Sequence, residues 1–189
     1  AGDSHPADGS NQRKIADFYA AYMNTDAIEK AGLTPIQPQL QQIDAIASRQ
    51  DLAHVLGSRL RADADPINDT NFHTEHLFGL FVTKGLEDPK LNIGYLLQGG
   101  LAMPSRDYYL SDDASMKDIR AKYRTYVAAL LKQAGVTDAD ADAQAKTVLA
   151  LETRIAKAQA TLIDSENVHK ANNLWSMHDF ARKAPGLDW

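Results

Sequence analysis

Met116-Lys-Asp-Ile-Arg-Ala-Lys-Tyr-Arg-Thr-Tyr-Val-Ala-Ala-Leu-Leu-Lys-Gln-Ala-Gly135 is the stretch on which the fold turns. Met116, Ile119, Tyr123, Tyr126, Val127, Leu130, Leu131 and Ala134 recur three and four residues apart, so one apolar face runs unbroken until Gly135. The pattern predicts a long amphipathic helix with a glycine stop. Thr137 stands where it can cap a second helix, whose apolar positions include Val148, Leu149, Leu151 and Ile155. Two long helices joined by so short a turn set a mainly α architecture.

Outward toward the N-terminus, Pro104 opens a short helical turn carrying Arg106, Asp107, Tyr108 and Tyr109. Before it lie two apolar runs rich in β-formers, at about 77–83 and 91–97, flanking the turn-forming Lys84-Gly-Leu-Glu-Asp-Pro-Lys90. A β-hairpin is the expected structure, although the first run also fits a buried helix. Earlier still, Ile15, Phe18, Tyr19, Tyr22 and Met23 form one stripe over about Asn11 to Asn24. A short segment from Thr25 to Ala31 stops at Gly32. Leu40, Ile43, Ile46 and Ala47 mark a second stripe, and Leu52, Val55, Leu56 and Leu60 a third. Toward the C-terminus, Ser176 and Asp179 have capping-box spacing for a last short helix. The expected fold is therefore a multi-helix lobe over residues 11–189 with one small hairpin, led in by a flexible, Gly-, Asp-, Ser- and Pro-containing segment at 1–10.

Composition narrows the function. The chain has 189 residues, enough to bury a sizeable core, and its formal net charge of −5, with Lys and Arg scattered, offers no footprint for nucleic acid. No apolar run approaches the ~20 residues of a membrane span, and the opening Ala1-Gly-Asp-Ser-His-Pro has no signal-peptide pattern. There is no cysteine, hence neither disulfide nor thiolate chemistry.

Several stretches imitate functional sites. His73-Thr-Glu-His76 sets two histidines three apart, one residue short of a zinc-peptidase helix, and reads as a polar loop before the hairpin. Asp138-Ala-Asp-Ala-Asp142 copies the start of a calcium loop, but Ala143 and Leu149 stand where Gly and Glu are required. Acidic residues in a first helical turn suit the helix dipole instead. His54, His169 and His178 are isolated, and Asn68-Asp-Thr70 is a formal glycosylation sequon. Tyr19, Tyr22, Tyr123 and Tyr126 read as core and core-edge residues rather than a base-stacking platform. Arg106 and Asp107 could position a substrate carboxylate; the favoured reading is a charge-assisted tie between a strand end and helices.

Four landmarks in order resemble the non-catalytic N-terminal part of neprilysin-family zinc endopeptidases. They are the helix with Ile15-Ala-Asp-Phe-Tyr19 continuing into Asp26-Ala-Ile-Glu29; Leu101-Ala-Met-Pro-Ser-Arg-Asp-Tyr-Tyr109; Leu151-Glu-Thr-Arg-Ile-Ala156; and Asn167-Val-His-Lys-Ala-Asn-Asn-Leu-Trp175. The similarity covers roughly Asn11 to Trp189. Ala102 and Met103 depart from the family's usual Gly-Leu.

The resemblance implies a helical lobe facing a catalytic lobe across a cavity and limiting access to oligopeptides, while zinc activates water and a glutamate acts as base. The zinc helix His-Glu-x-x-His, the downstream Glu-x-x-x-Asp and the Asn-Ala substrate-binding pair are absent from this sequence. No catalytic, metal or cofactor-binding residue is therefore assigned. Zinc is expected in the full-length enzyme and not on this chain. The expected partners are the C-terminal catalytic lobe of the same polypeptide and oligopeptide substrate. Gly186-Leu-Asp-Trp189 falls where the family pattern runs on, which suggests a fragment. The family also implies a periplasmic or secreted location, and the lack of cysteine suits a bacterial member. The alternative reading is a helical interaction module that shares the scaffold and has no peptidase activity.

Overall fold

The long pair predicted from sequence is present. In the computed structural model, which describes residues 5–62, 74 and 76–189, α6 runs Ala114–Gln133 and α7 runs Asp138–Ala158. Gly135 takes φ +92°, the left-handed conformation that ends α6, and Val136 N–H reaches back to the Leu131 carbonyl at 3.0 Å. The Thr137 hydroxyl then accepts the Asp140 N–H, starting α7. Near this turn Ala128, Ala141 and Ala145 are buried, with Val127, Leu131 and Val136 around them. Methyl-sized side chains at the contact let the two backbones approach closely. Further from the turn, Tyr123 meets Glu152, so the helices run antiparallel.

The chain divides into two compact units, Ala1–Asp44 and Ala45–Trp189. The first holds α1 (Asn11–Met23), α2 (Thr25–Ala31), a 3-10 turn (Thr34–Ile36) and α3 (Gln37–Asp44). Ser10 caps α1, Asn24 caps α2, and Gly32 at φ +51° stops it. No residue of these helices is buried. The helical periods were legible in the sequence; the burial they imply is not met within this unit.

In the second unit, α4 spans Arg49–Ser58. The predicted stripes overran at two places. Ile46 and Ala47 lie beyond α3, because the capping box of Ser48 and Asp51 begins a new helix and the Asp51 carboxylate takes the N–H groups of both Ala47 and Ser48. Leu60 lies past the end of α4.

The hairpin consists of β1 (Phe78–Lys84) and β2 (Asn92–Gln98), each displaced by one residue from the expectation, paired antiparallel from Phe78↔Gln98 to Lys84↔Asn92. Phe81 and Tyr95 stack across it with ring centroids 5.1 Å apart. The first run is thus a strand, not a helix. Then α5 (Asp107–Leu110) leads into α6.

Two short helices, α8 (Leu162–Glu166) and α9 (Val168–Ala171), follow α7. Thr161 and Asn167 start them by side-chain capping. The predicted capping box at Ser176 and Asp179 opens α10 (Met177–Lys183). Trp189 packs on Phe180 (4.9 Å) and on Phe78 (5.7 Å), joining the last helix to β1. Over the described residues the fold is mainly α with one small hairpin, as the patterning indicated.

Candidate functional site

The richest convergence of polar side chains lies where Met103–Tyr109 folds onto α6 and α7. Leu101, Met103, Tyr109 and Ala156 are buried together, and Tyr108, Leu110, Ile119, Tyr123, Leu149 and Ile155 pack around them. Within this apolar setting the Tyr109 hydroxyl accepts the Met103 N–H at 3.0 Å and donates to Glu152 Oε2 at 3.3 Å. Tyr123 donates to Glu152 Oε1 at 3.0 Å. One carboxylate therefore receives two phenols, one on each oxygen.

Burial, and secondarily the adjacent Glu152 charge, pushes the Tyr109 phenol up to about 12, and the same two causes push Tyr123 upward. Both hydroxyls stay protonated at ordinary pH. They are donors, not bases.

Arginines close the corner. Arg106 Nε donates to the Ala156 carbonyl at 3.2 Å. Arg120 places Nη1 on the Tyr108 carbonyl at 2.8 Å and Nη2 on the Ser111 carbonyl at 2.9 Å, bracketing α5 with one fork. Gln159 donates to the Gly99 carbonyl at 2.9 Å, and the Gln98 amide both accepts from Ala160 N–H and donates to Ser165 Oγ. A Cβ on Gly99 would lie 2.2 Å from the His76 carbonyl oxygen, so only glycine fits that strand exit.

The arrangement binds a strand end to a helix pair through phenol–carboxylate and carbonyl-directed contacts. It holds no nucleophile with a partnering base and no pair of open carboxylates. The tie expected of Arg106 and Asp107 is met on the arginine's side, since Arg106 Nε goes to a backbone carbonyl of α7, while Asp107 is exposed. Sequence reasoning did not single out Glu152, Tyr123 or Arg120 as a network; the one available signal was a glutamate inside the apolar face of Leu151-Glu-Thr-Arg-Ile.

Other singled-out residues lie apart. The Asp138–Asp142 carboxylates go to separate partners: Asp138 to Lys132 at 2.9 Å, Asp140 to Thr137 at 2.7 Å and Asp142 to Arg124 at 3.4 Å. His73 and Asn68-Asp-Thr70 lie outside the described residues, while His76 donates its backbone N–H to Thr74. Contrary to the core reading, Tyr19, Tyr22 and Tyr126 are exposed; only Tyr123 packs against the core. A groove of about 380 Å³ between Leu86, Glu87, Val168, His169 and Asn172 has its acidic group already taken, Asn172 donating to Glu87 at 3.2 Å. Among the described residues no three His, Cys, Asp or Glu side chains converge as metal ligands, and no helix is long and apolar enough to cross a membrane. The donor set at the corner, two protonated phenols on one carboxylate, does not fit a zinc centre.

The chain matches the N-terminal model of peptidase family M13 over residues 2–189. It is 24% identical to neprilysin-3 of Drosophila melanogaster over 183 residues, 94% of this chain and 23% of that protein. It is 26% identical to endothelin-converting enzyme-like 1 of Mus musculus over 189 residues, 96% of this chain and 24% of that protein. The fold superposes on the zinc metalloprotease Zmp1 of Mycobacterium tuberculosis in its inhibitor complex with TM-score 0.80 and 25% identity, covering 98% of this chain and 26% of Zmp1. The open state of Zmp1 gives TM-score 0.79. The chain thus spans about a quarter of the length of these relatives, and it belongs, as an N-terminal region, to peptidase family M13.

Proposed function

We propose that this chain is the non-catalytic, access-restricting N-terminal lobe of a zinc-dependent endopeptidase that hydrolyses oligopeptides, and that it has no peptidase activity by itself. The observation that carries the reading is the family match over residues 2–189 to a sequence without His-Glu-x-x-His. Zinc and the reacting groups then belong to a C-terminal catalytic lobe of the same polypeptide. This lobe contributes a wall, and the corner at Tyr109 and Glu152 keeps that wall in one shape. The network supports this division of labour, since its polar groups are spent on one another and on backbone carbonyls. The location that fits the reading is periplasmic or secreted.

The test compares two purified proteins. The polypeptide translated from the complete reading frame should bind zinc and cleave oligopeptides, with chelator abolishing cleavage and folded proteins resisting it. Residues 1–189 alone should do neither. Chelator-sensitive cleavage by the isolated chain would sink the proposal, as would a reading frame that stops at Trp189. Equal cleavage of short peptides and folded proteins would remove the access-restricting role.

A further inference from the structure

We draw no further inference here: the strongest candidate, the groove between the hairpin turn at Leu86 and Glu87 and α9 at Val168, His169 and Asn172, presents two exposed apolar side chains, Leu86 and Val168, and nothing in the structure shows what covers them.

Discussion

The hydroxyl of Tyr109 lies 3.3 Å from Oε2 of Glu152, bridging the turn that follows the hairpin to the middle of α7 across 43 residues of sequence. Through the same hydroxyl the Met103 N–H is satisfied, so one phenol serves both a backbone donor and a carboxylate. Tyr123 holds the other carboxylate oxygen from α6. Glu152 is thus the point at which three segments distant in sequence are fixed against one another. Its neighbours Leu101, Met103 and Ala156 are buried, which raises the cost of leaving any member without a partner.

Replacing Glu152 by Leu should destabilise the chain by about 1–3 kcal/mol, because two phenols lose their acceptor in a half-buried setting. Glu152→Gln should cost distinctly less, since its carbonyl oxygen still accepts one phenol. Urea denaturation checks both. Equal midpoints for the two variants would mean that the phenols do not depend on this acceptor.

The alkaline limit follows from the same residues. The Tyr109 pKa is raised from 10.0 to about 12, first by burial and then by the Glu152 charge, so the fold favours the protonated phenol. A group raised on folding contributes stability that is complete below pH 10 and is lost as pH climbs from 10 toward 12. Tyr123 is shifted in the same direction. The thermal midpoint of the wild-type chain should fall across that window. In the Tyr109→Phe protein the fall should be shallower, from a lower starting midpoint; a parallel decline would assign the alkaline sensitivity to other groups.

Arg120 should resist replacement by lysine. Its two nitrogens reach the Tyr108 and Ser111 carbonyls at 2.8 and 2.9 Å, a span that one ammonium cannot copy. Arg120→Lys is expected to cost about 1 kcal/mol and Arg120→Ala about 2 kcal/mol, on the scale of one and two hydrogen bonds. Hydrogen exchange should quicken at the amides of α5 in both. Unchanged protection there would mean that the fork does not hold this turn.

Gly99→Ala should be among the most damaging single-methyl changes. The added carbon would meet the His76 carbonyl oxygen at 2.2 Å and the Thr74 side chain at 2.5 Å; the side chain can rotate, but the carbonyl is main chain. Overpacking of this kind costs about 1–3 kcal/mol or more. Gly94→Ala makes the matched control, because its nearest neighbour is a Leu80 methyl at 3.6 Å. If the two variants melt together, the strand exit is less tightly packed than its geometry requires.

Local signals were the legible ones. Gly32, Gly135, Thr137 and the Ser176 box each act through backbone groups within a few residues, so the chain alone announces them. The hairpin was found from its two apolar runs, although the bounds of each strand, set by backbone pairing and by turn hydrogen bonds such as Gly85 N–H to the Leu91 carbonyl, lie one residue beyond the expectation. What stayed hidden needed partners far along the chain. A tyrosine in a helical stripe looks the same whether it enters a core, as Tyr123 does, or faces outward, as Tyr126 does. The same holds for α1, whose stripe predicted burial that its own unit does not supply. Glu152 was invisible as a hub because its donors are 29 and 43 residues away.

Acid should loosen α10 before the rest of the chain. The Asp179 carboxylate accepts the Ser176 N–H at 3.0 Å and its hydroxyl at 2.8 Å, and it pairs with Arg182 and Lys183. These contacts, the Ser176 backbone bond first, hold its carboxyl well below the usual carboxylate range. A group depressed on folding contributes stability that is present above its unfolded value of 3.8 and is lost as pH falls below it. The readout is built into the sequence. The chain's two tryptophans, Trp175 and Trp189, both pack against Phe180 of α10. Tryptophan emission should therefore change between about pH 4 and 2 while far-ultraviolet dichroism, dominated by α6 and α7, lags behind it. In Asp179→Asn, which keeps a side-chain oxygen for the cap but carries no charge, the acid-induced emission change should be lost. Persistence of that change in the variant would trace the acid sensitivity to a carboxylate outside α10.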